Sequence, residues 1–196
     1  MKKLFLLLVV FCLFFTGCAT LDKMNMYAFY SSVKISTDEF KNTKSIDMID
    51  NKVKITSDPR DTSISSRRNV SILPSLRQED GKNYLILWIE VKSWDPVRSI
   101  GVGGKESLYF NIDGEIYALS TTATVNFNRD REWKQEKEYI YYYITNEFLE
   151  KIAYATSVKY KIYGSDSSIE GVFDKYNIQN IRLFYENYTK DLEIEF

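Results

Sequence analysis

From residue 31 onward, apolar and polar positions alternate with period two over most of the chain, the signature of half-buried strands. SSVKIS (31–36), SIDMIDNKVKIT (45–56) and NVSILPSL (69–76) each read as a strand, with DPRDTSISS (58–66) as a loop before the last of them. YLILWIEVKSW (84–94) is the clearest strand and is reached through the turn residues EDGKN (79–83). Leu85, Leu87, Ile89 and Val91 share one of its faces, while Tyr84, Ile86 and Trp88 share the other until Glu90 and Lys92 replace them. Two apolar faces at one end predict a central strand covered on both sides there and open to water at the other.

Residues 108–127 (LYFNIDGEIYALSTTATVNF) predict a hairpin, because Asp113-Gly114 is a type I′ turn pair flanked by strand formers. EYIYYYI (138–144) is a further strand, after which Thr145 caps a short helix, NEFLEKIAYA, with Glu147 in the first turn where the helix dipole favours an acid. Its 3.6-residue stripe is Phe148, Leu149, Ile152 and Ala153. SVKYKIYGS and SIEGVFD form a second hairpin around residues 164–167, and Asp174 is the N-cap of a last helix with Ile178, Ile181, Phe184 or Tyr185, and Tyr188 on its buried side. Few strands alternate with helices, so parallel crossover units are not expected. The expected fold is α+β: mostly antiparallel β-sheet, sandwich-like, with two helices in the C-terminal third. One domain over 27–196 is the expected unit.

The N-terminus follows a different pattern. Lys2 and Lys3 precede an uninterrupted apolar run over residues 4–15, and Thr16-Gly17 are the small residues of a processing site. In a helix that run rises only about 18 Å, well short of the roughly 30 Å hydrocarbon core, so it reads as a cleaved signal rather than a permanent span. Phe15-Thr16-Gly17-Cys18 resembles the lipobox of bacterial lipoproteins. The resemblance covers the targeting segment alone. It implies that residues 1–17 are removed and that Cys18, diacylated and with its amine acylated, becomes the first mature residue. Residues 18–26 are then the lipidated cysteine and a tether; residues 19–26 (ATLDKMNM) reach at most about 28 Å, which keeps the domain close to the bilayer. Ala19 resembles the residue that lets such lipoproteins proceed to the outer membrane, in a host that sorts them. The implied location is the bacterial cell envelope, facing the periplasm or the cell surface.

Cysteine usage agrees with that reading. Cys12 lies inside the apolar run, which leaves Cys18 as the single mature thiol and permits no internal disulfide. Two or three acyl chains make membrane attachment effectively permanent, whereas one gives only marginal binding.

The chain contains no histidine, which excludes Ser-His-Asp and Cys-His catalysis and histidine metal sites. Ser31-Ser32-Val33-Lys34 matches S-x-x-K and Tyr185 to Asn187 matches Y-x-N, yet an alternating strand points Ser31 and Lys34 to opposite faces. Gly101 to Lys105 lacks the first glycine of a phosphate loop, its place being taken by Ser99. NIDGE (111–115) and EDGKN lack calcium-ligand spacing and read as turns. With 26 basic and 27 acidic residues and no basic run beyond Arg67-Arg68, nothing marks a nucleic-acid binder. No cofactor, metal or catalytic residue is expected.

The chain is also rich in tyrosine, with fifteen. In EYIYYYI, Tyr139, Tyr141 and Tyr143 share one face, opposite Ile140, Tyr142 and Ile144. With the isoleucine face as core, the three tyrosines form an outward ladder that, together with Trp94, is the candidate binding surface; tyrosine also simply suits half-buried strands. The expected role is non-catalytic: binding, adaptor or structural, with another envelope protein or peptidoglycan as partner. The alternative is a carrier of a small apolar or glycan ligand held between sheet and helices, and a weaker one is a carboxylate-dependent hydrolase.

Overall fold

A computed structural model describes residues 31–57, 68–93, 106–120, 126–130, 135–164 and 168–195. Phe15, Thr16, Gly17, Cys18, the tether, Trp94, the loop at 58–66 and the glycine-rich segment at 101–105 lie outside the described residues.

Among the described residues, eleven strands form the scaffold. The first five are β1 (Ser32–Asp38), β2 (Thr43–Ile49), β3 (Lys52–Ser57), β4 (Arg68–Glu79) and β5 (Lys82–Ser93). Then come β6 (Glu106–Ile112), β7 (Glu115–Ser120), β8 (Asn126–Asp130) and β9 (Gln135–Tyr143), and after the first helix β10 (Val158–Tyr163) and β11 (Ser168–Val172). Their order is β7-β6-β10-β11-β3-β4-β5-β9-β8, with β2 and then β1 attached to β4. All these pairings are antiparallel. The α+β expectation of mostly antiparallel sheet with two late helices therefore holds. The sheet path is open, ending at β7 and β8.

The segment 45–56, expected as one strand, is two. Asp50 takes φ 64°, a left-handed conformation that aspartate tolerates, and ends β2. Ile46 and Met48 bury on even positions, whereas Val53 buries on an odd one, so the break shifts the alternation by one and restores an apolar inner face. The two strands then share a single edge of β4: β3 pairs with Val70 and Ser71, and β2 with Ser75 through Glu79. Pro74 falls in the gap between them. Ile72 sends its N–H to that edge, donating to the Asn51 carbonyl at 3.1 Å, and Pro74, two residues on, faces the same way where no ladder bond is required.

Asp80-Gly81 (φ 50° and 77°) closes the long β4–β5 hairpin, and Asp113-Gly114 (φ 50° and 98°) closes β6–β7, each with the two positive φ values of a type I′ turn. The hairpin expected over 108–127 is smaller: β7 is Glu115–Ser120, and Asn126–Asp130 pairs with β9 rather than with β6.

The helices among the described residues are α1 (Asn146–Tyr154) and α2 (Lys175–Phe184), the latter running into a π-helical turn over Tyr185–Thr189. Thr145 accepts the Phe148 N–H at 3.1 Å, and α1 buries Phe148, Leu149, Ile152 and Ala153 as the stripe predicts. Asp174 accepts the N–H groups of Tyr176 and Asn177, while the Asn177 side chain accepts the Asp174 N–H, a reciprocal capping box. Arg182 on α2 donates to the Ala153 carbonyl at 2.8 Å, tying α2 to the end of α1. The helical stripes join the inner sheet side chains in one buried cluster, in which Phe110 meets Phe148 and Phe173 edge-on at 5.5 and 6.2 Å. Each fully buried Leu, Ile or Phe contributes about 1.5–3 kcal/mol relative to exposure. Across that core, Ser107 of β6 and Tyr142 of β9 share a 2.8 Å hydrogen bond, and burial pushes the Tyr142 hydroxyl up to about 12.

Candidate functional site

The outward face of β5 and its neighbours carries a groove lined by both aromatic and polar side chains. Alternation along β5 turns Leu85, Leu87, Ile89 and Val91 into the core and Tyr84, Ile86 and Trp88 to the opposite face, where Ile86 is buried and Tyr84 and Trp88 are half-buried. Register then does what local sequence cannot. Trp88 is flanked by Leu73 on β4 and Tyr141 on β9, Ile86 by Ser75 and Tyr143, and Glu90 by Ser71 and Tyr139. The Trp88 and Tyr141 rings lie 5.3 Å apart, Tyr141 and Tyr143 6.3 Å, and Tyr84 and Tyr143 6.4 Å, so the rings form a connected aromatic strip.

Tyr139, Tyr141 and Tyr143 thus share one outward face, as expected, and the helices pack against the opposite one. Tyr143 is exposed, and Tyr139 and Tyr141 are half-buried. Burial first, and then the neighbouring Glu90 carboxylate, push the Tyr139 hydroxyl up to about 12. Glu90 in turn pairs with Lys92 at 2.7 Å. The partners supplied by β4 and β5, Leu73, Ile86 and Trp88, were not part of the expected surface, because only the strand register reveals them.

Beside the aromatic strip the sheet face is polar. Ser75 donates to one oxygen of Asp47 at 2.5 Å and Ser45 to the other at 3.0 Å. Ser36 lies 2.7 Å from Ser45, whose single proton is engaged by Asp47, so Ser36 is the donor in that pair. These groups and the ring of Trp88 line a common open groove of about 530 Å³ that runs from β1 across β2, β4 and β5 to Tyr139. Arg77 borders it, paired with Glu79 at 3.1 Å.

A second groove, of about 570 Å³, lies on the outward side of β6, β10 and β11. There Lys161 is held by Glu170 at 2.7 Å and lies over the Tyr163 ring at 4.8 Å.

Ser31 and Lys34 stand at and in β1, three positions apart and therefore on opposite faces, and Tyr185 and Asn187 lie in the π-helical turn. Among the described residues no cluster of three or more Cys, Asp or Glu is placed to hold a metal ion, and no helix is long and apolar enough to cross a membrane. A further polar cluster was missed in the sequence. Asn51, fully buried, accepts from Asn177 and Asn180 at 3.0 and 3.3 Å and donates to the Ile72 carbonyl at 3.0 Å, fixing the N-terminal half of α2 to the point where β2 and β3 part.

No protein-family model matches the chain, and neither does any curated protein or solved structure.

Proposed function

We propose that this is a lipid-anchored protein of the bacterial cell envelope that binds a partner through the outward face of β2, β4, β5 and β9 and performs no catalysis of its own. The carrying observation is the make-up of this face: a connected strip of Tyr84, Trp88, Tyr141 and Tyr143, of which Trp88 lines the groove, beside the hydroxyls of Ser45 and Ser75 and the Asp47 carboxylate. Aromatic side chains that keep one polar end are favoured at contact surfaces, because they bury large area at low entropic cost. The lipobox-like Phe15-Thr16-Gly17-Cys18 supports attachment to the membrane, in the outer membrane where the host sorts lipoproteins by the residue after cysteine. The partner is then another envelope protein or peptidoglycan, and residues 27–196 act as one domain. We read the architecture as sandwich-like, with the limb containing β6 and the limb containing β9 enclosing one core across the Ser107–Tyr142 bond.

A carrier holding its ligand between sheet and helices is less well supported, since that space is filled by Phe110, Phe148, Phe173 and Leu149. The test is a photoreactive phenylalanine analogue placed at Tyr143, with Glu186 on the helical side as control, in intact cells. One defined product is expected at 143, lost when Trp88→Ala is added, and none at 186. Equal capture at both positions, or none at 143, contradicts the reading.

A further inference from the structure

We propose that the groove over β2, β4 and β5 is a saccharide site, in which a sugar ring of a neutral oligosaccharide stacks on Trp88 and its hydroxyls bond to the row of Asp47, Ser75 and Ser45. This deepens the proposed binding role and rests on it.

The chemistry of the lining selects among ligand classes. An extended peptide that binds through its backbone needs an unpaired strand edge. The edges of β4 and β5 here are taken by β2, β3 and β9, so around Trp88 side chains alone make the contact, and the outer edge of β1 lies three strands away from that ring. A purely apolar ligand would cover the linked hydroxyls and carboxylate without bonding to them, at a cost for each polar group left dry. An anion would meet two carboxylates, Asp47 and Asp38, against two cationic side chains in the lining, Arg77, already paired with Glu79, and the exposed Lys44.

A sugar fits both halves of the surface. The C–H face of a pyranose is apolar and slightly positive and suits the negative face of an indole, while its rim carries hydroxyl donors and acceptors. Asp47 uses two of about four acceptor sites on Ser45 and Ser75, and each serine oxygen retains lone-pair capacity, so the row can take hydroxyl protons without breaking its own bonds. The groove's volume of about 530 Å³ lies within the roughly 300–1,000 Å³ range of ligand sites.

The test is calorimetric titration of the full-length protein in detergent with three uncharged tetrasaccharides, β1,4-linked N-acetylglucosamine, cellotetraose and maltotetraose, and with an acidic peptide as comparison. The N-acetylglucosamine chain represents the glycan strand of a cell wall, and the two glucose chains represent surface polysaccharide. The expected result is saturable binding of at least one sugar, little changed between low and high salt. Trp88→Ala and Asp47→Asn, each with an unchanged melting curve, should weaken it roughly tenfold, and Trp88→Phe should retain part of it. No binding by any sugar at millimolar concentration, or binding unaffected by Trp88→Phe and Asp47→Asn, overturns the saccharide assignment. If the sugars fail while the photoprobe at 143 still captures a Trp88-dependent partner, the binding face stands and only its ligand class is wrong. If both fail, the face itself is not the site.

Discussion

The amide nitrogen of Asn177 lies 3.0 Å from the side-chain oxygen of Asn51, and both residues are buried. Asn177 also donates to the Lys52 carbonyl at 2.7 Å and closes the capping box with Asp174 at 3.0 Å, so one side chain starts α2 and attaches it to the branch of the sheet. Asn177→Ala removes all three bonds, leaves buried carbonyl groups poorly paired and weakens the cap. The expected cost is about 2–4 kcal/mol, read as a lower urea midpoint with an unchanged slope. Asn180→Ala, which removes only the longer 3.3 Å contact to Asn51, should cost less.

Gly171 of β11 faces Tyr160 of β10 in register, and a methyl group at Gly171 would overlap both the Tyr160 ring and the Lys54 carbonyl. The tyrosine covers the backbone that glycine leaves bare, but its hydroxyl is buried without a hydrogen-bond partner, and burial raises its pKa. Two opposite outcomes follow. Gly171→Ala should destabilise by roughly 3 kcal/mol, because a main-chain oxygen cannot move aside as a flexible side chain can. Tyr160→Phe, which removes only the unpaired hydroxyl, should be neutral or stabilising by up to about 1 kcal/mol. Thermal melts of the two variants check both.

The turn residue Asp113 has a second task. Its carboxylate accepts the Thr156 hydroxyl at 2.6 Å and the N–H groups of Thr156 and Ser157, linking the β6–β7 turn to the segment that leads into β10. The Thr156 hydroxyl, followed by the Thr156 N–H, holds the acid below its ordinary 3.8. A folded-state pKa below the unfolded one adds stability above the unfolded value, and that stability is lost as pH falls through the folded one. Asp113→Asn keeps the turn geometry and removes the charge. The stability gap between wild type and this variant should be constant near neutrality and close as pH drops below about 4. A gap that widens in acid would contradict the assignment.

Tyr139 should ionise only near pH 12, held there first by burial and then by Glu90. Ring-carbon NMR through a pH titration should show Glu90→Gln lowering that value while leaving it above the ordinary 10, because burial is the larger cause.

Much of this fold is local in origin and was therefore legible in the chain. Asp113-Gly114, Thr145 and Asp174 each act over three or four residues, and the elements they start stand where the spacing places them. The break at Asp50 left a trace that went unread: the apolar positions change from even to odd between Met48 and Val53. The sharing of one β4 edge by β2 and β3, and the pairing of β8 with β9, depend on contacts between distant segments that no window of sequence contains. The same holds for the groove. Three of its neighbouring tyrosines follow from one strand's alternation, but Asp47 and Ser75 meet across 28 positions, and Trp88 finds Tyr141 only through register.

The proposed role depends on attachment, since on that reading residues 19–26 would hold the domain within about 28 Å of the bilayer. Mass spectrometry of the N-terminal peptide of protein purified from its native membrane tests that claim most directly. The peptide should begin at Cys18 and carry a diacylglyceryl group on sulfur, and Cys18→Ser should abolish the modification. An unmodified N-terminal peptide, or one that begins at another residue, would contradict the account.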